Sequence, residues 1–172
     1  LKENSMKVFD SYLKNGFTQA GFFKESVNFD RGYEDPVHSI RRQSEGVYAM
    51  LHFLAYEREN GRRHPEWEQK MKNMLDILLQ LQHEDGSFPR KFHDDFTIVD
   101  NSGGSTPSAT LPLIMGYKYF KDKRYLASAK RTADYLEKVL ISKADYFSST
   151  LDANCEDKEA SLYAATATYY LS

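Results

Sequence analysis

Two stretches of this sequence concentrate ionisable and aromatic side chains. The first reads Arg90-Lys91-Phe92-His93-Asp94-Asp95 and continues to Asp100. The second holds Asp145, Tyr146, Phe147 and Asp152 and leads into Glu156, Asp157 and Glu159. Acids grouped in this way suit general acid–base catalysis. Cleaving a glycosidic bond needs two carboxyl groups that face each other across a sugar, one of them held protonated. Asp94, Asp95 or Asp100 opposite Asp152 or Glu156 is the pairing on offer. Phe92, Tyr146 and Phe147 could stack on sugar rings. Arg41 and Arg90 could take the carboxylate of a uronic acid, which a planar guanidinium fits well. Each residue also has an ordinary role available. Asp152, Glu156 and Asp157 are what any helix start favours, and loop charge is commonly just solvated.

Other chemistries find less support. The five histidines are His38, His52, His64, His83 and His93, and none has metal-ligand spacing. His52 falls on an apolar helix and is expected in the core. His93 is the one histidine to test as an acid, a base or a substrate contact. Ser105 and Ser108 lack the G-x-S-x-G setting of a nucleophile elbow. The single cysteine, Cys155, rules out an intrachain disulfide and a cysteine-built metal site. No metal and no cofactor is expected.

Helices must position these groups. Met6, Phe9, Tyr12 and Leu13 share one face of a helix over Lys2–Asn15, with Gly16 as its stop. A second helix spans about Ile40 to Glu59 and is apolar around most of its circumference, which marks an inner helix. A third begins at His64-Pro65-Glu66. Its stripe of Trp67, Met71, Met74, Leu75, Leu78 and Leu79 makes it amphipathic and outer. A fourth begins near Thr106-Pro107 and is inner. Pro112 within it implies either a kink or a later start. A fifth, about Arg124 to Ser142, is outer. A sixth, rich in alanine, runs from Ala160 to Leu171 and is inner.

Bulk properties agree with a folded helical chain. The sequence has 172 residues, 41% hydrophobic and 28% charged, with a net charge of −2. That suits one domain over 1–172 with a real core. No long basic run offers a footprint for nucleic-acid phosphates. No apolar stretch is long enough to span a membrane, and no signal peptide is expected from the residues at Leu1. Both ends lie inside helical patterns, so a piece of a longer protein is expected.

The order outer helix, long loop, inner helix, short loop occurs three times. The second and third units repeat with a period of roughly 60 residues. If helix direction alternates, all three long loops fall at one end, around the N-termini of the inner helices. Helix N-termini carry partial positive charge and free amides, which favour oxygen-rich ligands. The expectation is therefore a cleft ringed by loops. A sheet in the place of those loops would remove that cleft, and the sugar chemistry expected of it.

Two strings call up a family. Leu78-Leu79-Gln80-Leu81-Gln82 with Asp85-Gly86-Ser87-Phe88 resembles the helix-end element that recurs in α/α toroids, among them terpenoid cyclases and six-hairpin glycosidases. Asn101-Ser-Gly-Gly-Ser-Thr-Pro-Ser-Ala109 and Ser148 to Glu159 resemble uncharacterised six-hairpin proteins of polysaccharide-degrading bacteria. The likeness covers about Gly46 to the end. It implies an all-α fold: an α/α toroid, incomplete, with about three of six helical hairpins. It further implies a carbohydrate-active protein of glycoside-hydrolase type that acts on poly- or oligosaccharide. The rest of the ring would be its partner, and the setting periplasmic or extracellular. A non-catalytic module that binds glycan or protein is the alternative. A terpenoid-cyclase relative would need an aspartate-rich motif in an apolar cavity, and none is evident.

Overall fold

The computed structural model describes residues 2–28, 30, 32–101, 105–143 and 158–171. Its described residues are mostly helical. The helices are α1 (Lys2–Asn15), α2 (Ile40–Glu59), α3 (Pro65–Leu81), α4 (Thr106–Phe120), α5 (Lys123–Tyr135) and α6 (Lys158–Leu171). A π-helical turn, Leu136–Leu140, and a short 3-10 turn, Ile141–Lys143, prolong α5 to about where the sequence predicted its end.

The helices form two layers. α4 packs against α2, α5 and α6, while α3 lies against α2, α4 and α5. α2, α4 and α6 thus lie side by side in one row. α4 is buried at every position from Thr106 to Gly116, as its apolar circumference predicted. α1 joins the outer layer through Phe9, whose ring stacks on Phe53 of α2 at 4.0 Å. The core under these layers includes Leu51, Leu54, Met71, Met74, Leu75, Leu78 and Leu113. Each such side chain contributes about 1.5–3 kcal/mol of burial. Pro112 is accommodated inside α4 without ending it. No helix among the described residues is long and apolar enough to cross a membrane.

The chain is not purely helical, which corrects the all-α expectation in detail. β1 (Val27–Asn28) pairs with β2 (Tyr33–Glu34). A second sheet has the antiparallel order β3 (Val37–Ser39), β4 (Lys91–His93), β5 (Ile98–Asp100). Here His38 is paired with Phe92, and Lys91 with Asp100. These strands occupy the first and second long loops. The loops do come together, because β3 belongs to one and β4 to the other. They meet as a sheet, however, and not as the open mouth expected. The third long loop lies outside the described residues.

The turn after α3 shows why the Gln82 and Asp85-Gly86-Ser87-Phe88 element exists. Gly86 has φ +92°, and a Cβ there would lie 2.3 Å from the carbonyl oxygen of Arg131. Only glycine fits so close an approach. The Gln82 amide donates to the Ser128 carbonyl (3.0 Å) and to Thr132 Oγ1 (2.9 Å) on α5, and its oxygen accepts from Ser128 Oγ (2.7 Å). Phe88 is fully buried. The element therefore locks one outer helix to the next.

Candidate functional site

The acids of the second loop are engaged in holding the sheet. Nε2 of His38 lies 2.6 Å from Oδ1 of Asp94. An ionised carboxylate can only accept, so the imidazole donates. His38 is 1% exposed and stacks on Phe22 at 4.4 Å. Asp95 accepts from the Thr97 amide at 2.9 Å inside the β4–β5 turn. That bond holds its pKa below the usual carboxylate value. Asp100 pairs with Arg90 (3.2 Å), and Arg90 is itself buried. These three acids brace a hairpin.

The proposed ligand contacts divide. Phe92 is 1% exposed and lies edge-on to Phe22, so its ring offers no face to a sugar. It is a core residue, placed inward by the strand alternation of β4. Arg90 is likewise turned inward to Asp100. His93 sits half-buried on β4. Arg41 is half-buried on the first turn of α2, and its Nε donates to Glu45 Oε1 at 2.9 Å. Asp152, Glu156, Tyr146 and Phe147 lie outside the described residues. Among those described, no cluster of three His, Cys, Asp or Glu side chains is arranged to hold a metal ion.

The structure brings together a set of which the sequence singled out only Arg41 as a ligand contact. Arg41, Glu45, Tyr48 and His52 recur at helical spacing along one face of α2. Glu45 accepts a second, short hydrogen bond from the Tyr163 hydroxyl of α6. Tyr48 is hydrogen-bonded to Tyr170 of α6; burial first, then that bond, push its pKa up to about 12. The Lys118 ammonium of α4 stands 4.5 Å over the Tyr170 ring. His52 is exposed, not in the core, with its ring edge-on to Tyr48 at 4.6 Å. α2, α4 and α6 thus bring together tyrosines, a carboxylate, an arginine, a lysine and an imidazole. Such a face can stack on a ring, hydrogen-bond hydroxyls and move a proton. The clue in the sequence was polar residues at helical spacing inside an otherwise apolar helix.

On the other side of the α2 N-terminus lies Glu25, from the first loop. Its Oε1 accepts from the Ser39 amide (2.6 Å) and from Gln43 Nε2 (2.8 Å). Burial raises its pKa above the ordinary value, against the pull of these donors and of Arg42. It borders a groove between α1 and α2.

No model of a known protein family matches the chain.

Proposed function

We propose that this chain belongs to an α/α toroid of the six-hairpin glycosidase-like kind and binds a poly- or oligosaccharide on the inner face of α2, α4 and α6. The observation that carries the reading is the Glu45 carboxylate, held by Arg41 and Tyr163 beside Tyr48 and Tyr170. Sugars are bound by flat aromatic faces together with planar, charged hydrogen-bonding groups. The succession of inner helices packed side by side, with outer helices behind them, supports the toroid. In a hydrolase Glu45 is one carboxyl of the pair. Asp152 or Glu156 is proposed as the other, because both precede α6, the helix that carries Tyr163.

A non-catalytic glycan-binding module is the second reading. It is favoured by the engagement of Asp94 and Asp100 with His38 and Arg90. One experiment separates the two. A panel of neutral and uronate-containing oligosaccharides is titrated against the chain by NMR, and reducing ends are measured over time. Tyr48→Ala is expected to weaken binding about tenfold or more. For a hydrolase, Glu45→Gln keeps binding and loses turnover; for a module, no turnover is seen in either protein. Binding that survives Tyr48→Ala unchanged sinks the site.

A further inference from the structure

The groove between α1 and α2 has a volume of about 500 Å³, in the range of small-molecule sites. Its walls are Phe9, Tyr12, Phe23 and Met50, with Ala49 exposed along one side. Gly46 forms part of the floor. A Cβ there would lie 2.7 Å from the Phe23 ring, so the missing side chain lets that ring lie flat against α2. Its charged lining is Lys24, Glu25 and Arg42, gathered at one end by the 3.7 Å approach of Arg42 to Glu25, and Tyr12 adds a hydroxyl.

Charge at that end is uneven in reach. Glu25 is 7% exposed, and Oε1 is already occupied by the Ser39 amide and Gln43. Arg42 is 65% exposed and stands 3.7 Å from Glu25 Oε2, too far for a hydrogen bond. The guanidinium is therefore the group that an incoming ligand meets, while the Lys24 ammonium is paired with Glu34 at 2.5 Å. Glu25 faces away from the ligand's approach, its Oε1 turned to the Ser39 amide and Gln43. An ammonium ligand would meet the exposed Arg42 guanidinium first.

We propose that this groove is a binding site for an aryl carboxylate, with the ring between Phe9, Tyr12 and Met50 and the carboxylate on Arg42. It does not depend on the inner-face reading, since the two sites lie on different faces of α2.

The test uses three probes that share one body: 3-phenylpropionate, 3-phenylpropan-1-ol and 3-phenylpropylamine. Each is titrated against the whole chain by calorimetry or ligand-observed NMR. The carboxylate is expected to bind at least tenfold tighter than the alcohol, and the amine weakest. Arg42→Gln should remove that preference while leaving the alcohol unaffected. Ala49→Trp, at an exposed helical position, should fill the groove and abolish binding of all three. Circular dichroism and thermal melting check that both variants stay folded. Absence of binding to the unaltered chain overturns the proposal. So does amine binding as tight as carboxylate binding, or a carboxylate affinity unchanged in Arg42→Gln.

Discussion

His38 and Asp94, 56 residues apart, meet at 2.6 Å and tie the first long loop to the second. The pair stands where β3 meets β4, so it holds the two loops in register. It also fixes Asp94 in a structural bond.

The first prediction follows from that bond. His38→Ala removes a buried, stacked ring and should cost about 3 kcal/mol of stability. Asp94→Ala, with a half-exposed carboxylate, should cost about 1–2 kcal/mol. Urea unfolding at neutral pH measures both. Oligosaccharide affinity of the folded Asp94→Ala protein should match that of the unaltered chain. A large loss would return Asp94 to the binding face.

Gln82 and Gly86 make the second. Gln82→Ala removes several cross-helix hydrogen bonds to α5 and should cost about 2 kcal/mol or more. Gly86→Ala should cost about 3 kcal/mol, from both the clash at the Arg131 carbonyl and the left-handed backbone. Differential scanning calorimetry would show both as lowered melting temperatures. A neutral Gly86→Ala would mean that α3 and α5 approach less closely than described.

Glu57 makes the third. Hydrogen bonds from Arg62 and His64 lower its pKa to about 2. A carboxyl depressed in the folded state stabilises above its unfolded pKa, and that stability is lost as pH falls through the folded pKa. The contribution should therefore disappear between the ordinary value of 4.5 and about 2. Glu57→Gln should flatten this part of the stability–pH curve, measured by urea midpoints at successive pH values. Identical curves for the two proteins would refute the ion pairs.

Glu25 gives the fourth, with the opposite sign. Burial raises its pKa, so the folded state holds the proton more tightly than the unfolded chain does. Its favourable contribution is present below the ordinary value of 4.5 and declines as pH rises through the raised folded value. Glu25→Gln, which keeps an acceptor for the Ser39 amide, should gain stability relative to the unaltered chain across that window. The comparison is again by urea midpoints, and a relative loss on raising the pH would contradict the burial.

Helix boundaries were legible because they depend on near neighbours. Periodicity and caps placed α1, α2 and the start of α3 where the structure has them. Apolar residues all round α4 announced its burial. The small sheet was not legible. β3 to β5 are each three residues long, too short for alternation to register, and β3 pairs with a segment more than fifty residues away. Phe92 was read as a ligand platform since a loop aromatic looks exposed until a strand turns it inward. His52 was read as core since α2 is apolar, yet it lies at an exposed position of that helix.

The sequence by itself determined six helices, the burial of α4 and the glycine turn that ends α3. Those outcomes rest on local geometry and on the side-chain pattern within single helices. Tertiary structure decided which charges are paired and which remain available. Asp94 is taken by a histidine from another loop, while Glu45 meets a tyrosine 118 residues away. The free energy of a polar side chain is set by whatever stands within hydrogen-bonding distance, and only the assembled fold fixes that neighbour.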